Sequence, residues 1–132
     1  MPPQVEGEVH LDRARASVAA GDVAGARTDL DKGLALVPAD PFAWYLSAAL
    51  ARRQNDMGRA KTDIDKAVTL APDDAAVLLE AGNIFGLTGE AEAARTFYQR
   101  AVRADASSVA GREAAAALAA NGGPPPTPAQ SR

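Results

Sequence analysis

Asp29 with Asp31 and Asp63 with Asp65 repeat the spacing Asp-x-Asp, and carboxylates so paired invite a metal-binding reading. On a helix that reading fails, because residues two apart point to opposite sides and cannot easily share a cation. The neighbouring bases give the acids another use. Arg27 with Asp31, Lys61 with Asp65, Asp29 with Lys32 and Asp63 with Lys66 stand three or four residues apart, and are expected as ion pairs on a solvated face. His10 is the only histidine and there is no cysteine, so no second such ligand exists to complete a zinc site. His10 is expected as a partly exposed residue of the first helix. Ser17, Ser47, Ser107 and Ser108 are expected on helix faces or at caps without an adjacent base, and a nucleophile needs one. No glycine cluster has phosphate-loop spacing. The residues point to a chain that is not an enzyme, with no catalytic residue, no metal and no cofactor.

Bulk properties narrow the partners. At 132 residues, 47% hydrophobic and 23% charged, the chain has the balance of one ordinary globular domain. A formal net charge of -3 removes the general attraction to phosphate on which nucleic-acid binders depend. The longest apolar runs are alanine-rich and far shorter than the roughly 20 residues of a membrane span. The opening MPPQVEGEVH has no basic region followed by a hydrophobic stretch, so a cytoplasmic location is expected of the sequence as written. A periplasmic or membrane-tethered location is expected instead if it is cut from a longer chain.

What must position any site is a repeat. ARTDLDKGLALVPAD, from Ala26, returns thirty-four positions later as AKTDIDKAVTLAPDD, from Ala60, and again as ARTFYQRAVRADAS from Ala94. In each copy a small residue, then Leu30, Ile64 or Tyr98, then Gly33, Ala67 or Ala101 fall at i, i+4 and i+7, one face of an amphipathic helix. A second periodic segment precedes it, clearest in PFAWYLSAALARR. Ala20-Gly21-Asp22, Gln54-Asn55-Asp56 and Thr88-Gly89-Glu90 separate the two, as helix stop and next cap. Asp40-Pro41 supplies a capping carboxylate before a first-turn proline, and Pro38 and Pro72 close the preceding helices. The spacing predicts seven helices near 7–20, 23–36, 41–53, 57–70, 75–87, 91–104 and 108–120. One such helical pair cannot bury its apolar face alone, whereas stacked neighbours can.

This pattern resembles the tetratricopeptide repeat family over Gly7 to Ser108. Its signature matches Trp44, Ala48, Ala60, Ile64, Ala67 and Pro72 in the middle copy, with His10, Ser17 and Ala106 as departures in the outer two. The resemblance implies an all-α, right-handed solenoid of three helix-turn-helix repeats, 7–40, 41–74 and 75–108. A C-terminal capping helix at 108–120 completes the domain 7–120. A flexible arm is expected at 1–6 and a disordered Pro-rich tail at 121–132, whose Pro124–Pro128 run has a polyproline ligand as its other reading.

The resemblance further implies a concave groove lined by the first helix of each pair, taking an extended peptide or a partner's helix. By position that groove presents Arg15, Phe42, Tyr45, Arg52, Leu79 and Asn83, beside Leu11 and Ala49. Trp44 occupies the family's packing position and is expected in the core, while Tyr45 faces another way and is the binding candidate. Asn83 offers an amide that can both donate and accept. The places of the family's carboxylate clamp hold Leu11, Leu46, Ala76 and Glu80, with Arg15 the only cation among them, which argues against chaperone-tail binding. The function implied is a protein-interaction adaptor whose partner is a protein or peptide segment, acidic or extended. The alternatives are a weakly self-associating structural module, joined through the last helix or the groove, and an interaction fragment of a larger assembly or envelope protein.

Overall fold

The computed structural model describes residues 1–120; the tail at 121–132, and with it the polyproline reading, lies outside the described residues. Among these, seven helices and no strand are present: α1 Pro3–Ala19, α2 Val23–Leu36, α3 Pro41–Arg53, α4 Met57–Leu70, α5 Ala75–Leu87, α6 Ala91–Ala104 and α7 Val109–Ala120. Five agree residue for residue with the spans expected from the sequence. The first differs. Pro2 and Pro3 have the fixed φ that suits a helix start, and Gln4 donates to Glu8 one turn on at 3.0 Å, so the expected arm is helix from Pro3.

Caps explain why the starts of α2, α3, α4, α5 and α7 are sharp. Asp22, Asp40, Asp56 and Asp74 each turn a carboxylate back to accept from a backbone N–H of the first turn, at Gly25, Phe42, Arg59 and Val77. Ser108 does the same for α7, its hydroxyl accepting from the Gly111 N–H at 2.9 Å. Between the helices of a pair the chain must reverse within two or three residues. It does so through one left-handed residue at equivalent positions: Gly21 (φ 82°), Asn55 (φ 61°) and Gly89 (φ 80°).

The described chain forms two compact units, Met1–Ala71 and a second beginning at Pro72. In the first, α1 packs on α2, α3 on α4, and α2 on α3. Its core holds Leu11, Ala14, Ala26, Leu30, Leu34, Val37, Ala43 and Leu50, with Trp44 and Leu46 packed at the edge. Leu30 and Ile64 are shut off from solvent, each contributing about 1.5–3 kcal/mol of apolar burial. In the second unit α5, α6 and α7 pack on one another around Leu78, Ala94, Tyr98, Ala101 and Ala114. Glycines permit the tightest approaches. A Cβ at Gly82 would come within 2.5 Å of the Tyr98 ring, so α6 lays that ring directly on the α5 backbone.

Candidate functional site

α1, α2 and α3 enclose an apolar pocket of about 170 Å³ in the first unit. Its floor is Ala14, Leu30 and Leu50, all buried, and Val18, Leu46 and Ala49 form half-buried walls. Two arginines stand among its lining residues, Arg15 from α1 and Arg53 from the last turn of α3. Arg15 is exposed and bonded to Asp12 one turn earlier at 3.0 Å, an exposed pair that holds it only loosely. Arg53 is exposed, and its side chain makes no hydrogen bond or ion pair among the described residues. The arrangement offers an apolar hollow for one side chain beneath a positively charged rim.

Of the six groove residues expected from the sequence, Arg15 alone lines this pocket. Arg52 and Tyr45 are half-buried and engaged by other groups of the chain, and Phe42 stands 47% exposed at the start of α3. Arg53, which is not among the expected groove residues, lines the pocket as well. The signal was available: Leu46, Ala49 and Arg53 stand at i, i+3 and i+7 on α3, a single helical face. On α5 of the second unit, Leu79 is half-buried against the Leu78–Tyr98 cluster. Asn83 accepts a hydrogen bond from the Tyr98 hydroxyl at 2.9 Å through its Oδ1, which commits the acceptor half of its amide.

Polar chemistry concentrates elsewhere in the first unit, where the sequence suggested only surface ion pairs. Ser47 is 0% and Asp63 3% exposed. The Ser47 hydroxyl donates to Asp63 Oδ2 at 2.5 Å and accepts from Arg27 Nη1 at 2.7 Å, while Arg27 Nη2 donates to the Ser47 carbonyl at 3.0 Å. Arg59 completes the set, its Nε donating to Asp63 at 3.1 Å and its Nη2 to Asp31 at 2.7 Å. Burial works to lower the Arg59 pKa, but hydrogen bonds and attraction from Asp31 and Asp63 outweigh it, and the guanidinium is held above its ordinary value. The network joins α2, α3 and α4, and every buried side-chain polar atom in it has a partner.

Three sequence expectations are corrected by this geometry. Arg27 does pair with Asp31, at 3.3 Å, but Asp63 turns inward to Ser47 and Arg59. Lys66 instead stands 4.1 Å above the Trp44 ring. Asp29, expected with Lys32, instead accepts from His10 Nδ1 at 2.9 Å, which makes the partly exposed His10 a tie between α1 and α2. Trp44 is only half-buried, with its indole N–H donating to the Pro38 carbonyl at 2.8 Å, because two open clefts, bordered by Lys66, meet at its ring. Its aromatic body packs on the core while its polar edge needs an acceptor, and the closing proline of α2 supplies one.

No cluster of three or more acidic or histidine side chains near enough to hold a metal ion occurs among the described residues, and no helix among them is long and apolar enough to cross a membrane. The sequence profile of the tetratricopeptide repeat matches residues 43–74 and 75–108, half of the chain. No curated protein matches. Among solved structures, the chain is similar to the Arabidopsis OM64 TPR domain (TM-score 0.81, 15% identity, 90% of this chain and 98% of that one). It is also similar to the first TPR of Spaghetti (RPAP3) bound to the HSP90 peptide SRMEEVD (0.77, 19%, 88% and 95%). A third likeness is to the Sgt2 TPR domain from Aspergillus fumigatus (0.76, 18%, 96% and 90%). At these identities the likeness is one of fold.

Proposed function

From the premise that this chain belongs to the tetratricopeptide repeat family, we propose that it is a non-enzymatic adaptor, which takes a peptide or helical segment of a partner protein on the first helices of its pairs. One observation carries the reading: the hollow in the first unit opens between two such helices, α1 and α3, and is apolar within and cationic at its rim. The similar Spaghetti domain was solved with a peptide bound, which supports a peptide as the class of ligand. Its partner's sequence does not carry over, because the clamp positions of this chain hold Leu11, Leu46, Ala76 and Glu80. Arg15, Phe42, Tyr45 and Arg52 are the first unit's candidate contacts, and Leu79 and Asn83 are those of the second.

The test is capture of a partner on the intact chain, followed by titration of the captured protein against two charge reversals. Arg15→Glu, on α1, should weaken binding severalfold, whereas Lys66→Glu, on α4 beside Trp44, should leave it unchanged. Damage from Lys66→Glu alone would place the partner on the second helices. Failure to capture any protein that binds the purified chain would remove the adaptor reading.

A further inference from the structure

Resting on that reading, we infer that the pocket between α1 and α3 takes one aliphatic side chain of a partner segment flanked by Asp or Glu, and that Arg53 selects the flanking acids. The occupant's chemistry follows from the walls. Ala14, Leu30, Leu50 and Val18 offer no side-chain donor or acceptor, so a polar group inserted there would lose its water without replacement. A hollow of about 170 Å³ has room for one side chain, not for the successive anchors of a long helix. The inserted group is therefore a single apolar side chain.

The rim sets what stands beside it. No carboxylate lines the pocket, and its charged lining residues are the two arginines. A segment with Lys or Arg next to its apolar residue would bring like charges to both, while Asp or Glu would gain a charge-assisted hydrogen bond from either. Arg15 already shares its charge with Asp12, whereas the Arg53 side chain has no partner among the described residues and breaks no bond on turning to a ligand. Discrimination between acidic and neutral flanks thus falls mainly to Arg53. A second copy of this chain is the competing occupant, and the experiment separates it.

The probe is a capped heptapeptide with glycine ends and one leucine between two pairs of acidic residues, titrated into the intact 15N-labelled chain. Amide resonances of Val18, Leu46, Ala49 and Arg53 should shift together and saturate. Replacing the leucine by alanine should weaken binding about tenfold, since most of the buried apolar group is lost. Converting the four acids to their amides, or Arg53→Glu in the chain, should each weaken it about fivefold or more, and Arg53→Lys should restore part of that loss. Arg53 is exposed, so both variants should stay folded: Arg53→Lys should keep the parent's melting temperature, and Arg53→Glu, with an anion at the C-terminus of α3, should lower it only slightly. Equal affinity for acidic and amide peptides, full binding to the Arg53→Glu chain, shifts confined to other residues, or no binding at all overturns the inference. The same shifts on concentrating the chain alone would identify a second copy as the occupant and also overturn it. None of these results touches the adaptor reading, which stands or falls on the captured partner.

Discussion

Ser47 has no contact with solvent, yet its hydroxyl serves Asp63 and Arg27 at once and its carbonyl serves Arg27 again. Truncation to alanine would leave a buried carboxylate and a guanidinium each short of a partner while removing only one oxygen. Ser47→Ala should therefore destabilise the chain by about 1–3 kcal/mol in urea unfolding, against less than about 1 kcal/mol for Asp31→Ala at the network's exposed edge. The Arg59 pKa is raised in the folded chain, so its contribution is whole below the ordinary guanidinium value and is lost only as pH rises through the higher folded one. Nothing is lost from that side at ordinary alkaline pH. This network was illegible in the sequence for a definite reason. Asp63 has Lys66 three residues ahead and Arg59 four behind, so local spacing offers two equally good partners. The choice is made by Ser47, sixteen positions away on α3, and no helical period connects them.

Helices were far more legible, because their ends are written in local chemistry. Each of Asp22, Asp40, Asp56 and Asp74 caps the helix that it precedes, and the same residue types mark the reversals. At Pro3 a helix starts with neither a capping side chain nor a reversal before it, and there the expected boundary missed by a turn; α6 also lacks a side-chain cap, but the reversal at Gly89 marks its start. Faces were legible as well: Ala26 and Ala60, equivalent in two copies, are both fully buried. Ala60→Leu should then overpack α4, lowering stability by about 1–3 kcal/mol, and an unchanged melting temperature would mean that the helix can rotate to accept it. Glycines at two kinds of place give a sharper contrast. Around Gly21 a Cβ would meet nothing within 4 Å, so Gly21→Ala isolates the cost of a left-handed backbone, about 1 kcal/mol. At Gly111 a Cβ would strike the Asp105 carbonyl, which is backbone and cannot swing away. Gly111→Ala should push α7 off the end of α6, seen as faster hydrogen exchange in α7 with α1 to α4 unchanged.

For the whole molecule, the net charge of -3 repels an acidic segment at long range, so attraction depends on arginines acting at short distance. Binding of the acidic heptapeptide should weaken severalfold between about 0.1 and 0.5 M salt, as exposed pairs are screened, while the leucine's share stays. An affinity indifferent to salt would mean that the rim does not contribute. Repeat arrays need not unfold in one step, and the half-buried Trp44 turns this into something that light can resolve. It is the chain's one tryptophan, and it lies in the first unit, fixed by Pro38 and Lys66. Its fluorescence therefore reports on its surroundings in the first unit, whereas far-ultraviolet dichroism sums every helix. Followed together through a denaturant ramp, the two signals time the halves of the molecule against each other with no dye and no added label.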